Sequence, residues 1–588
     1  MKTLPNGRLL EHFGELTTAE STLLKHVASG TPARIADSRP EIGTKENKVR
    51  AHFLRFLILG GDAENPVHER GINLRGAYIV GVLDLRGAEI NTSVTLEHCL
   101  CFQPLYLEDM QLKGSLSLNF SAVPGLVASR VSISGSLYLN KIYSHGTIQL
   151  IAAKIGGSIY IRGSYLYGLG EPALLMGGIS VGSVIRVEDE SKVIGGLSLV
   201  GALIDNQLSC SNCTFIAIKG PAFNADNILV KGGVYLTKGF HSVGLVRISG
   251  ARIAGQLSLR GAHFQENGEN CLSAQGMQVG SSLIMTDFPS PLRMAAFNGS
   301  HVKSLTDDEK TWGDELSLNG FIYNFINSRI PLTAEARIAW LNSQNPANSG
   351  NDDLKGSNSE FRPQPWRHLQ KVFEEMGHSE EARKVGIAFE KRLRKVGLVG
   401  QGTARWWPGF RWLGLIPHMV YGALTGYGYR PMRLLAWILG IWLFFTSIYW
   451  YAAVEQNVFA PSNPLVFQSD AYTTCRKEYG EGWQKRSPDT PIPSGIGNWY
   501  TCDALRGEYT GFSPGAYSLD ILLSLVDLQQ EKDWGPITTT PSPNAWVEFW
   551  NWDWGHSIRF LVWLETLIGW GISLLLVAIV SGLTRRKE

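Results

Sequence analysis

The chain predicts a mainly-β solenoid with helical caps and a C-terminal two-helix transmembrane domain. Three observations carry that prediction: an apolar pair every eleven residues, glycines in step with it, and two long apolar runs near the C-terminus. The repeating unit is a glycine followed, two residues on, by apolar residues at i and i+2. It reads Leu83/Leu85, Val94/Leu96, Leu105/Leu107, Leu116/Leu118, Leu126/Ala128, Leu137/Leu139, Ile148/Leu150 and Ile159/Ile161. First members are separated by 11, 11, 11, 10, 11, 11 and 11 residues. After a slippage the step resumes at Leu197/Leu199, Leu208/Cys210, Phe223/Ala225, Val234/Leu236, Val246/Ile248 and Leu257/Leu259, then at Leu272/Ala274 and Leu283/Met285.

An i, i+2 pair puts two side chains on one face of a strand, with Asp84, Ser117, Tyr138 and Ser258 facing out. The 3,4 spacing of an amphipathic helix is absent. Two such strands make a coil of roughly 22 residues, and one coil cannot bury its own interior, so coils stack into a column over residues 70–326. Glycine at Gly81, Gly114, Gly135, Gly146 and Gly157 is expected to supply positive φ at the corners.

The ends of such a column expose unpaired strand edges and need covers. Residues 1–69 are read as a helical N-terminal cap with helices over Thr17–Ala28 and Lys45–Leu59. Residues 327–343 are read as a closing helix, 344–362 as a flexible polar linker, and 363–400 as a helical hairpin. In the hairpin, Trp366, Leu369 and Phe373 are placed to meet Ala382, Val385 and Phe389.

Leu434–Val454 has no charge, and Phe560–Leu583 is interrupted only by Glu565. Both are long enough to cross a bilayer, giving spans over 432–455 and 557–584. Between Val454 and His556 there are 6 Lys/Arg and 13 Asp/Glu, although the whole chain is +2. Cations gather before the first span and after the second. The positive-inside rule then predicts a cell inner membrane, both termini cytoplasmic and residues 455–557 periplasmic. Met1–Glu20 carries charges and no apolar core, so no signal peptide is expected there. Lys391, Arg392, Arg394 and Lys395, with Arg405, Trp406, Trp407, Arg411 and Trp412 in an interfacial segment at 401–431, are candidate contacts to membrane lipid.

Of seven cysteines, Cys475 and Cys502 alone fall in the external stretch and form a candidate disulfide, though spacing by itself does not set their distance. Cys210-Ser-Asn-Cys213 has zinc or redox spacing, but no second ligand pair accompanies it. Cys210 also falls in an inward slot of the repeat, which favours core packing. No nucleotide, metalloprotease or hydrolase motif is present. Asp84, Glu97 and Arg162 are too scattered to define a catalytic cluster. Catalytic, metal and cofactor-binding residues are therefore set at none, and nothing in the charge pattern calls for nucleic acid.

In the loop between the spans, an apolar stretch read as a short helix over 515–528 is too brief to cross, and it precedes a polar turn. Span, short helix, loop, span is the order of parts in a two-helix cation channel. Asp520, Asp527, Glu531 and Glu565 are then the candidate pore or membrane-function residues. The alternative is a helix lying flat on the bilayer, with Glu565 snorkelling outward. Gly569 and Gly571 are read as helix-packing positions.

Several motifs give a family resemblance: Val49-Arg-Ala-His-Phe-Leu-Arg-Phe-Leu57, Pro66-Val-His-Glu-Arg-Gly71, Leu318-Asn-Gly-Phe-Ile-Tyr323, Arg337-Ile-Ala-Trp-Leu341, Pro363-Gln-Pro-Trp366, Gly377-His378 with Ala382-Arg383, and Tyr517-Ser-Leu-Asp520 ahead of Trp534. With the repeats, they make the chain resemble a bacterial family of pentapeptide-like β-helix proteins with a C-terminal two-span membrane tail, often labelled "membrane-associated oxidoreductase". The resemblance implies a right-handed, four-sided β-helix. It implies no catalytic residues, and no flavin, nicotinamide, haem or iron–sulfur signature accompanies the label. Three functions are carried forward. The leading one is a non-enzymatic inner-membrane scaffold or sensor, binding a protein or polymer partner along the solenoid. The second is an oligomeric channel-like or permeabilising effector gated by the solenoid, acting in stress or phage defence; the third is a redox enzyme. A homo-oligomer is required for the second, since two spans cannot enclose a pore.

Overall fold

The computed structural model describes residues 9–170, 172–265, 271–344, 361–399, 412–478, 495–523, 526–538 and 553–581. The chain divides into two compact units, Met1–Phe389 and Glu390–Glu588.

The first unit is a parallel β-solenoid of about 11 turns with about 22-residue spacing. Its apolar pairs build two of four ladders. One runs through Val94, Leu116, Leu137, Ile159, Ile185, Leu208, Val234, Leu257 and Leu283. The other runs through Leu83, Leu105, Leu126, Ile148, Leu174, Leu197, Phe223, Val246 and Leu272. The apparent slippage after Ile161 is no break in the column. Leu174 and Ile185 keep the register, and the extra residues are carried in the connections between rungs.

Two further ladders lie between these. One contributes a single inward residue per coil, such as Ile90, Leu112, Ile133, Ile155, Val181 and Ile204. The other does likewise with Val123, Ser144, Leu166, Val193 and Phe215. One inward residue leaves no i, i+2 signature, so the pairs alone reveal only half of the sides. Near the far end one corner straightens: the strands Gln278–Met285 and His301–Asp307 run through it and join two ladders into one sheet.

The glycines divide: Gly81 has the expected positive φ, whereas Gly114, Gly135, Gly146 and Gly157 do not. Positive φ recurs one corner later, at His98, Asp109, Phe120, Arg130, Lys141 and Ala152, so it is not reserved for glycine. Gly135 has no positive φ; a Cβ there would lie 2.8 Å from the Gly114 carbonyl oxygen of the preceding coil. Close stacking, not a left-handed turn, excludes a side chain at that point. Ser117 and Ser258 occupy outward slots yet are buried, with Ser117 in register between Thr95 and Tyr138.

Helix α1 (Thr18–Ser29) opens on a capping box: the Thr17 hydroxyl accepts from the Glu20 N–H and the Glu20 carboxylate from the Thr17 N–H. Helix α2 (Ala51–Ile58) starts later than Lys45, because Lys48–Arg50 is already a strand paired with Tyr78–Val80. The cap thus donates the first rung and satisfies that edge. Buried Glu20 fixes the join, taking the Arg50 guanidinium at 2.6 Å. At the other end α3 (Ala334–Asn342) is capped by Thr333 and occupies less of 327–343 than expected. Its Arg337 is buried and donates to both oxygens of Asp307 at 2.6 and 2.9 Å, while Trp312 Nε1 donates to the same carboxylate at 2.7 Å. Helices α4 (Gln364–Glu375) and α5 (Ser379–Val396) bury Trp366, Leu369, Phe373, Ala382, Val385 and Phe389, and of the contacts expected across the hairpin the Trp366 and Phe389 ring centroids stand 6.4 Å apart. The linker at 345–360 lies outside the described residues.

In the second unit, α6 (Trp412–Thr425) precedes α7 (Arg433–Val454) and α9 (Trp554–Val580), with α8 (Pro514–Leu522) between them in sequence. Among the described residues, α7 and α9 are the two helices long and apolar enough to cross a membrane. Between them, Phe459–Pro461 pairs antiparallel with Trp534–Pro536 over a core of Phe459, Phe512, Tyr517 and Trp534. The Cys475–Cys502 disulfide is formed, with Cα atoms 5.4 Å apart. Asn498 closes the end of α7 by donating to the Ala453 and Val454 carbonyls at 2.9 and 3.1 Å.

Candidate functional site: a half-helix between two spans

Helix α8 begins at Pro514, where the missing N–H costs nothing, and Ser513 caps it by accepting from Ala516. It packs against both α7 and α9. On the α7 side, Trp442 Nε1 donates to the Gly515 carbonyl at 2.8 Å, and Tyr517 meets Tyr449 edge-on at 5.4 Å between ring centroids. On the α9 side, a Cβ added to Gly569 would lie 2.4 Å from the Leu522 carbonyl oxygen, so only glycine admits this approach. Gly571 has open space around its Cα and is not a packing position.

All three helices meet on Glu565. The carboxylate is fully buried; Ser518 Oγ donates to one oxygen and Tyr449 Oη to the other, each at 2.6 Å. No cation is within ion-pair distance of it among the described residues. Two hydroxyls replace the hydration shell that burial removes from the carboxyl. Glu565 therefore does not snorkel, and α8 does not lie apart from the spans: it is wedged between them.

Sequence reading found Glu565 but not Tyr449, Ser518 or Trp442. The available signal was a hydroxyl on each neighbouring apolar segment. The other acidic candidates separate. Asp520 is buried and accepts the backbone N–H groups of Leu528 at 2.7 Å and Glu531 at 3.0 Å. It folds the chain back on α8, which is why the helix ends at Leu522 and not at residue 528. Asp527 is exposed and paired with Lys532 at 2.6 Å, and Glu531 is exposed. The four carboxylates thus do not converge.

In the basic stretch of α5, Lys391 and Lys395 are exposed, whereas Arg394 Nη1 lies 3.4 Å from Tyr427 Oη. Trp412 is exposed at the start of α6; Arg405, Trp406, Trp407 and Arg411 lie outside the described residues. Cys210 and Cys213 are buried, and Cys210 stacks between Val187 and Leu236 in an interior ladder. Burial holds the Cys210 thiol protonated, as it does that of Cys99, pushed up to about 12. No group of three or more metal-ligating side chains occurs among the described residues. Asp84 pairs with Arg86 and Arg162 with Glu188, so these charges neutralise one another locally.

Comparison with family models, curated proteins and solved structures gives no match for this chain.

Proposed function

We propose that the protein is an oligomeric, channel-like effector of the inner membrane, with its N-terminal solenoid as a cytoplasmic control module. The observation that carries this reading is α8, a half-helix held between two spans by a buried Ser518–Glu565–Tyr449 cluster and followed by a non-helical return. Irregular backbone at membrane depth is tolerated where it is buried in protein or lines water. The excess of Lys/Arg outside residues 455–557 supports termini in the cytoplasm, and the Cys475–Cys502 disulfide suits an oxidising periplasm. Purified protein in planar bilayers is expected to carry ion currents, altered by Asp527→Asn. Silent bilayers at saturating protein would remove the reading.

A second reading, a scaffold or sensor holding a partner along the solenoid, has its own support. A groove of about 690 Å³ is lined by Leu229, Ile253, Val279 and Val302 together with Arg252, His301 and Lys303, with no acidic residue in its wall. It suits an anionic segment of a protein or polymer. Arg252→Glu/Lys303→Glu should release a partner recovered with the tagged membrane protein; unchanged recovery would count against this surface.

A further inference from the structure

We infer that helix α6 is a lipid-bound shelf, with Trp412, Ile416, Met419 and Val420 against acyl chains and the α5 lysines Lys391 and Lys395 on the headgroups of an anionic phospholipid. The inference rests on the reading of α7 and α9 as spans and adds to it a lipid site on the side where the cations gather.

Polarity around α6 is the first step. Its 14 residues reach about 21 Å, too short for a hydrocarbon core of roughly 30 Å. A helix on the surface of a soluble domain turns its polar side to solvent. Helix α6 is inverted. Trp412, Ile416, Met419 and Val420 are between 48 and 52% exposed, and Pro417 and Ala423 complete an outer arc that holds no polar side chain among the described residues. The polar groups point the other way. His418 Nε2 lies 3.3 Å from Oε2 of buried Glu390 on α5, and the Tyr427 ring stands 4.7 Å from the imidazole. Thr425 is buried, its hydroxyl donating to the Tyr421 carbonyl and accepting from the Gly428 N–H. Protein covers the polar side, and the side left outward is the one that acyl chains solvate.

The second step is depth. Trp437 Nε1 donates to the Ala423 carbonyl at 3.3 Å, and Leu424 packs in a cluster with Leu434 and Ile572. Trp437 lies about 6 Å along α7 from Arg433 at 1.5 Å per residue. The end of α6 is thus level with the first turn of α7, where charge gives way to the uninterrupted apolar run. Ala423 and Trp437 are both exposed, so the outer arc runs on into the apolar surface of α7.

Charge selects the lipid. From Lys391 to Val454 there are 8 Lys/Arg and no Asp/Glu. Glu390, just before this stretch, is turned inward to His418, and Arg394 Nη1 lies 3.4 Å from Tyr427 Oη, so these two residues mark the side of α5 that meets α6 and its following loop. Lys391 and Lys395 are exposed one turn apart, and neither has an ion-pair partner among the described residues. Two uncompensated cations beside an apolar shelf match a phospholipid of net negative charge, with its acyl chain on α6 and its phosphate on the lysines.

The test is fluorescence quenching of the full-length chain in phosphatidylcholine proteoliposomes, with a thiol-reactive fluorophore at Ile416→Cys or, separately, Val420→Cys. The seven native cysteines give little background, because five are buried and two form the disulfide. A nitroxide carried on a lipid acyl chain should quench both reporters and water-soluble acrylamide neither, as at Leu567→Cys, which is 71% exposed on α9. At equal low mole fraction, the nitroxide on phosphatidylglycerol should quench at least twofold more than on phosphatidylcholine. Lys391→Gln/Lys395→Gln should abolish that preference, and Lys391→Arg/Lys395→Arg should keep it. Using two reporter positions keeps the test valid if one substitution impairs folding. Acrylamide quenching at residues 416 and 420 would overturn the inference by leaving α6 in water; protection from both quenchers would overturn it by covering α6 with protein. Equal quenching by the two lipids, or a preference that survives loss of the lysines, would also overturn it. Failure confined to α6 leaves the spans standing, whereas acrylamide quenching at residue 567 as well would remove the spans and the channel reading with them.

Discussion

Asp307 and Glu565 are both fully buried carboxylates, and the two units satisfy them in opposite ways. In the solenoid cap, Asp307 meets a guanidinium head-on, with Arg337 supplying two hydrogen bonds and Trp312 a third. In the second unit, Glu565 meets no cation among the described residues and takes two hydroxyls from two other helices. The difference lies in what each site joins. Asp307 and Arg337 fasten a covering helix to a column that is already closed by backbone ladders. Glu565 is where three separate helices agree on their positions, and hydroxyls on α7 and α8 let it do so without burying a second charge.

Removing one partner at the cap should have the largest effect. Arg337→Met leaves Asp307 buried without its cation and should cost about 3–5 kcal/mol, read as a fall in the solenoid's unfolding midpoint. The double variant Asp307→Leu/Arg337→Met should recover part of that loss. If Arg337→Met unfolds like the parent, the pair is not what secures α3. Next comes Gly569→Val, which drives a side chain against the Leu522 carbonyl and should cost about 2–3 kcal/mol in detergent, together with displacement of α8. Normal stability there would mean that α8 is not wedged between the spans. Glu565→Gln should lose about 1–2 kcal/mol, since an amide accepts at one atom only and one hydroxyl must turn away. Tyr449→Phe added to it should then cost less than it does alone, and strict additivity would argue against a shared cluster.

A fourth, smaller effect separates the two units by pH. Burial raises the Glu20 pKa, but the hydrogen bonds from Arg50 and Thr17 outweigh it and set the net shift downward. A carboxyl depressed on folding stabilises above its unfolded value, near 4.3, and that contribution fades as pH falls through the folded value. Acid should therefore loosen the N-terminal cap as the pH falls through the folded Glu20 value, and Glu20→Gln should flatten that part of the profile. A parent and variant that lose stability in parallel would assign the effect elsewhere. Smallest of all, the native chain should resist alkylation by a maleimide at Cys99, Cys101, Cys210, Cys213 and Cys271 until it is denatured, since burial suppresses each thiolate's access.

Legibility follows the same divide. The two paired ladders could be read directly, because an i, i+2 pair is a local signal repeated with a fixed step. The single-residue ladders through Ile90 and Val123 could not, because one inward residue per coil has no pattern of its own. Motifs that carried the family resemblance turn out to be joints: Arg50 holds Glu20, Arg337 holds Asp307, and Ser518 holds Glu565. Their residue types were visible, whereas their partners lie 30, 30 and 47 positions away in the chain.

By itself, the sequence determined the stacking of coils, the paired interior ladders, the helices α4 and α5, and the two apolar helices. Each rests on the chemistry of near neighbours and on periodicity. Tertiary structure alone decided that Gly114, Gly135, Gly146 and Gly157 serve close stacking while Gly81 turns with positive φ, that α8 stops at Leu522 because Asp520 turns the chain, and that Glu565 is held inward by Tyr449 and Ser518. Those outcomes depend on which distant groups arrive within hydrogen-bond reach, a distance that no local spacing encodes.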